Sequence, residues 1–242
     1  MKRVVPRQLA LVLLLTACGD TGGDAFSIPL IAGGATDARS FEDDGFTITL
    51  DDARIGYGPV YFCATSAADL GLCPAALAEF RGAATVDVST AEVEMVGSIE
   101  ARSGTIRSGM WDYARPFLLG ADAPAPITGA VDGERSARFS GTASRGAESF
   151  RFVAELDISN VSASGLPAVS AVRTAHELVD GADALTVTFD AQAIVSRLDF
   201  EALASRVVDG EVRVVPGDVA YNALVQALTS SALPTLTWAR PD

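Results

Sequence analysis

Between residues 137 and 158 the chain reads ARFSGTASR, then Gly146-Ala147, then ESFRFVAELDI. On the second arm Phe150, Phe152, Ala154, Leu156 and Ile158 share one parity, and Ser149, Arg151, Val153, Glu155 and Asp157 share the other. Side chains of an extended chain alternate between two faces, so this pattern is a strand with its even-numbered side turned to a core. Two such arms around a short glycine-containing link predict a hairpin. A hairpin of this kind needs further strands to cover its apolar face.

The rest of the chain supplies them. Period-two or β-branched stretches lie at 46–50, 53–64, 84–89, 92–101, 105–118, 184–190, 211–216 and 235–239. The segment 53–64 carries two glycines and reads as a bent or bulged strand. Helical patterns are fewer. CPAALAEF (73–80) has a proline at a helix start, 191–205 carries a loose stripe of Ile194, Val195, Leu198 and Ala202, and 219–233 is the strongest amphipathic pattern. No fixed-period repeat is present, which disfavours a propeller or solenoid. The expected fold is mainly β: an antiparallel β-sandwich with a few short peripheral helices, spanning 26–242. The Pro- and Gly-rich run at 120–135 marks either an internal loop or a boundary.

The amino-terminal end is of a different kind. Lys2, Arg3 and Arg7 precede an apolar run from Leu9 to Leu15. That run is far shorter than the roughly 20 residues needed to span a bilayer, so it reads as a signal core. It ends in Leu15-Thr16-Ala17-Cys18. This pattern resembles the lipobox of bacterial lipoproteins at all four positions. The resemblance implies a signal peptide over 1–17, cleavage before Cys18, covalent lipid on Cys18, and a Gly/Asp tether over 18–25. Gly19, not aspartate, follows the cysteine, which leans toward delivery to the outer membrane.

Loss of residues 1–17 would remove three of the 18 basic residues and none of the 31 acidic ones, moving the net charge from -13 to -16. Such a chain disfavours nucleic acid and direct electrostatic docking to anionic lipids. With Cys18 lipidated, Cys63 and Cys73 remain, with nine residues between them. In an exported chain these two are expected to form one disulfide. A redox-active pair would want the Cys-x-x-Cys spacing, which is absent. The only lysine is Lys2, so Walker-type phosphate loops, Schiff-base lysines and Ser-Lys dyads are excluded from the body.

Catalytic signals are sparse. A Ser/His/Asp triad could use only His176, and no Gly-x-Ser-x-Gly elbow exists. Glu42, Asp43, Asp44, Asp51 and Asp52 form the one acidic concentration of calcium-ligand chemistry, without EF-hand spacing, and a solvated acidic turn explains it as well. Met95 and Met110 sit in strands where packing is the usual role. A carboxylate pair for glycoside hydrolysis is not singled out by any pattern. Tyr57, Tyr61, Phe62, Trp111, Tyr113 and Phe117 suit either a groove or a core, with Trp111 and Tyr113 the better candidates for an exposed ligand-binding surface.

The segments GFTITLDDARIGYGPVYFCA, GTIRSGMWDY and FSGTASRGAESFRFVAELDI resemble uncharacterised lipoproteins of Gram-negative bacteria. The layout also resembles the MbnP-like periplasmic copper-binding family, through its hairpin and the VTFDAQAIVSRLDF segment. The histidine- and tryptophan-rich metal environment of that family is missing, so no ligand residue carries over. The expectation is a membrane-anchored, non-enzymatic binding or structural module with no cofactor beyond its lipid. Envelope proteins or glycans would be its partners. The alternatives are a calcium- or copper-handling periplasmic domain and, third, an envelope hydrolase.

Overall fold

The computed structural model describes residues 23–66, 76–114, 117–118, 125–126, 135–158, 167–181 and 184–239. The strands are β1 (Ala25–Gly34), β2 (Ser40–Asp43), β3 (Phe46–Tyr57), β4 (Val60–Cys63), β5 (Ala78–Phe80), β6 (Ala84–Asp87), β7 (Val93–Arg102), β8 (Gly104–Trp111), β9 (Phe117–Leu118), β10 (Ala125–Pro126), β11 (Ala137–Arg145), β12 (Glu148–Leu156), β13 (Val169–Leu178), β14 (Ala184–Phe189), β15 (Glu211–Val214) and β16 (Thr235–Ala239). Helices α1 (Ala191–Val195), α2 (Phe200–Ala204) and α3 (Val219–Gln226) follow β14 in the chain, and α3 runs into a π-helical turn, Ala227–Ser231. The mainly β architecture expected from the periodicity is what forms.

The strands make two main sheets. The large one has the order β13-β8-β4-β5-β7-β1-β14-β16, and the small one β15-β12-β11-β3-β2, with β6 also on β3. Neither is purely antiparallel. β1 pairs with β14 in parallel, and so does β12 with β15. In both cases the partner strands are far apart in sequence, so no tight turn forces them to run in opposite directions.

The hairpin read from sequence forms over β11 and β12, with Arg145 opposite Glu148 across Gly146-Ala147. Gly146 takes a φ of 60°, the conformation that a two-residue turn with glycine first requires. The β2–β3 link is tighter in chemistry: Asp44 and Gly45 both have positive φ, and Asp43 faces Phe46. On β3 the register to β11 slips between Ser140 and Gly141, leaving Asp51 as the extra residue of a bulge. Here β11 comes so close that a Cβ on Gly141 would lie 2.1 Å from the Thr49 carbonyl oxygen.

β3 ends at Tyr57 in the small sheet, and a cis Gly58–Pro59 peptide turns the chain into β4 of the large sheet. The expected bend at 53–64 is therefore a corner between sheets. Phe80, from the segment expected to be helical, lies on β5 instead; Ala78 and Glu79 pair with Ala101 and Glu100 of β7. Sheet pairing overrides the helix preference of a short alanine-rich run. The 191–205 pattern splits in two. Asp190 and Asp199 each accept from a backbone N–H three residues on, at 2.9 Å, and so start separate helices. Phe200 and Leu203 are buried in place of Ala202.

Both sheets and all three helices contribute to one buried cluster. Phe46 packs edge-on against Phe150, and Phe200 packs against Phe152 at 5.5 Å. At the corner Tyr57 meets Phe189 at 5.5 Å. The two edge strands of the large sheet also meet. His176 of β13 lies flat on Trp238 of β16, at 4.9 Å and 7°, and Phe62 of β4 packs against the same indole. That contact curls the eight-stranded sheet toward closure. Among the described residues no helix is long and apolar enough to cross a membrane.

Candidate functional site

The large sheet carries an open groove of about 460 Å³ at the end where β1 begins. Three strands build it. Phe26 of β1, Leu77 just before β5, and Ala101 of β7 line it together with Glu79, Glu100 and Arg102. The register explains the grouping. Glu100 pairs with Glu79 on one side and with Ser27 on the other, and Arg102 pairs with Ala25. Alternation then places Ser27, Glu79 and Glu100 on one face of three adjacent strands.

Two carboxylates directly opposite each other repel unless a cation intervenes. Arg81 does so, with Nη2 2.9 Å from Glu100 Oε2 and Nε 3.6 Å from Glu79 Oε1. One guanidinium thus serves two carboxylates. Burial pushes the Glu79 carboxyl above its usual range; Arg81 opposes that rise and Glu100 adds to it. Among the described residues the Arg102 side chain makes one long contact, 3.5 Å, from Nη1 to the Gly23 carbonyl. The outer face here therefore carries two carboxylates and two guanidinium groups, while Phe26 and Ala101 alternate to the inner face and pack with the core. None of these residues stood out in the sequence, because Glu79 lay in an expected helix and Glu100 in an ordinary alternating strand.

The acidic candidates do not converge. Glu42 accepts from Thr47, Asp43 ends β2, and Asp44 occupies the hairpin turn. Burial raises the Asp43 carboxyl, Ser196 opposes the rise by hydrogen bonding, and Asp44 reinforces it. Asp51 is the exposed bulge residue, and Asp52 is held by Arg54 at 2.8 Å and by Arg138 at 3.2 Å. Among the described residues no group of three His, Cys, Asp or Glu is arranged to hold a metal ion.

Trp111 and Tyr113, expected at an exposed surface, are fully buried. Tyr57, Tyr61 and Phe62 are buried as well. The corner explains Trp111 and Tyr113. Gly58 N–H donates to the Asp112 carbonyl and Asp112 N–H to the Pro59 carbonyl, which draws the end of β8 into the sandwich. The Tyr113 hydroxyl donates to the Leu228 carbonyl, and Asp112 Oδ1 accepts from the Tyr113 N–H at 2.8 Å. Burial drives both phenols, Tyr57 and Tyr113, upward from the ordinary tyrosine range. Met110 is buried, but Met95 is 73% exposed, unlike the packed residue expected.

Cys63 closes β4 and is disulfide-bonded. Cys73 and Cys18 lie outside the described residues, as does most of the 120–135 run. Phe117 lies on β9. His176 stacks on Trp238. The comparisons with protein-family models, with curated proteins and with solved structures find no match to this chain.

Proposed function

We propose that this chain is an outer-membrane-anchored lipoprotein whose β-sandwich body is a non-enzymatic binding module at the cell envelope. The observation that carries the reading is the order of features before the fold begins: Lys2, Arg3 and Arg7, the Leu9–Leu15 run, then Leu15-Thr16-Ala17-Cys18. The first strand starts only seven residues later, at Ala25. Seven residue steps reach at most about 25 Å, so a lipid on Cys18 would hold the body close to its bilayer. Each buried methylene contributes about 0.8 kcal/mol, and two or more acyl chains anchor stably where one does not. The disulfide at Cys63 supports an oxidising compartment. The groove beside β1 is the surface on which binding would take place.

Cys18→Ser tests the anchor. The wild-type protein should fractionate with membranes and begin, by intact mass, at an acylated Cys18. The variant should lose the acyl mass and leave the membrane fraction once its signal is removed. A wild-type protein with an unmodified start, or a start elsewhere, refutes the anchor.

A further inference from the structure

We propose that the outer face of the large sheet over β7, β1, β14 and β16 is the interface on which two copies of this chain pair about a twofold axis. The inference goes beyond the binding reading and holds whether or not Cys18 carries lipid. Strand register defines the face. Met95, Ile31, Thr186 and Thr237 lie side by side across the four strands. Alternation turns them away from the core, since Leu30, Ala32 and Val187 beside them are buried in it. The next row, through Gly33, holds only valine, glycine and threonine, and the row on the other side, through Pro29, only serine, proline and alanine. No charged residue interrupts these three rows. The face is also open: Met95 is 73% and Val93 47% exposed, and Thr235, Thr237 and Ala239 are exposed beside them.

The opposite side of the molecule is the contrast. On the small sheet the outward positions carry Arg54, Arg138, Arg151, Arg213, Asp52 and Glu155. On the large sheet charge returns at the margins of the rows, with Glu100 and Arg102 beyond Ser98 and with Glu92 just before Val93. A charge-free centre with an exposed methionine inside a charged rim is the composition of a protein interface. Charge also selects the occupant. The chain has a net charge of -13, and a twofold contact sets each row against its own copy, so a charged row would meet like charge. For an acidic chain meeting itself, a face without charge is what contact requires, whereas a basic partner would be drawn to the carboxylates outside the rows. Two sheets pack face to face about 10 Å apart with side chains interdigitating, and the small threonines and alanines leave room for Met95 and Ile31. Three rows on four strands span roughly 20 by 19 Å, about 400 Å² on each copy. That is about half the usual area per partner, so the dimer is reversible, with a Kd of about 10–100 µM.

Density-matched sedimentation of the full-length protein in maltoside micelles, from about 1 to about 500 µM, reads the association. Wild type should pass from monomer to dimer within that range. Thr237→Glu on β16 and Met95→Glu on β7 each bring a carboxylate to the contact of two acidic copies and should weaken the dimer at least about tenfold. Thr142→Glu, on the outer face of the small sheet, should leave it unchanged. All three side chains point outward, so far-UV dichroism and urea midpoints should stay at wild-type values, which separates lost pairing from lost folding. Raising salt from about 50 to about 500 mM should tighten the wild-type dimer, because it screens repulsion between the acidic bodies without cutting an ion pair. A wild type that is monomeric at about 500 µM overturns the proposal and leaves the face to a different partner. A dimer that keeps its affinity in Thr237→Glu and Met95→Glu, or one that salt loosens, pairs through another surface and overturns it as well.

Discussion

Two buried tyrosines at the corner between the sheets permit a controlled measurement. Both Tyr57 and Tyr113 are fully buried. The Tyr113 hydroxyl donates to the Leu228 carbonyl and so ties the end of β8 to the π-helical turn after α3. The Tyr57 hydroxyl has no hydrogen-bond partner among the described residues. Phenylalanine keeps the ring, its contacts and its apolar burial, so each Tyr→Phe change removes only an oxygen. Tyr113→Phe loses a bond and strips a buried carbonyl of its donor, which costs about 1–3 kcal/mol. Tyr57→Phe loses no protein bond and removes a polar group from an apolar site, so it should fall within about 0.5 kcal/mol of wild type or be more stable. Urea denaturation reads the difference. With a slope of roughly 3 kcal/mol per M, Tyr113→Phe lowers the midpoint by about 0.3–1 M while Tyr57→Phe leaves it in place or raises it. Burial holds both phenols neutral throughout the neutral range, so the contrast should not change between about pH 6 and 8. A Tyr57→Phe cost equal to or above that of Tyr113→Phe would refute the assignment of the bond and the reasoning from it.

Three further outcomes follow from local geometry. Asp190→Ala and Asp199→Ala each remove a side-chain cap at 2.9 Å and should cost about 1 kcal/mol in denaturant melts, and the double variant should cost about the sum. Asp218 is held by Arg206 at 2.7 Å and accepts from the Val215 N–H at 3.1 Å, and these bonds lower its carboxyl below the usual range. A lowered folded-state value means that its stabilisation is present above the ordinary aspartate range and is lost as pH falls through the folded value. Stability measured against pH should therefore show Asp218→Asn weaker than wild type at pH 7, with the two curves converging in acid. Non-reducing peptide mapping should recover Cys63 joined to Cys73, and Cys63→Ala should lower stability by about 2–3 kcal/mol, whereas a map joining Cys63 to any other thiol contradicts the pairing.

Legibility in the sequence followed the range of the interactions concerned. The β11–β12 hairpin, with its turn at Gly146-Ala147, was readable to the residue because one short segment holds both its alternation and its turn chemistry. β3, β7, β14 and β16 were readable for the same reason. β13 was not, because its small and polar residues Ser170, Ala171, Thr174 and Ala175 weaken the contrast between faces. β1 hides as well: Pro29 interrupts it and Gly33-Gly34 end it, and the glycines are there because the start of β7 and the segment leading into it come close. The parallel pairs were unreadable in principle. Nothing local in Leu30–Gly34 says that its neighbour is Leu185–Phe189, some 155 residues on. The 73–80 pattern failed for a related reason. Three residues of helix-forming composition make a strand when β4 and β7 leave a gap between them for hydrogen bonding.

The same argument explains why the groove was invisible and the aromatic candidates misled. Trp111-Asp112-Tyr113 looked amphipathic along the chain, but a long-range corner decides its burial. The Asp112 backbone is taken up by Gly58 and Pro59, more than fifty residues earlier. Once that corner closes, two rings that could have met solvent become part of the wall between the sheets. The groove arises in the opposite way, from residues with no sequence signal that pairing brings side by side. Glu79 and Glu100 become neighbours only because β5 pairs with β7, Ser27 joins them because β1 pairs on the other side, and Arg102 shares their face by alternation along β7. The charged surface made in this way is fixed by strand register and not by side-chain preference. A one-residue slip of β5 against β7 would turn Glu79 to the inner face and dissolve the site.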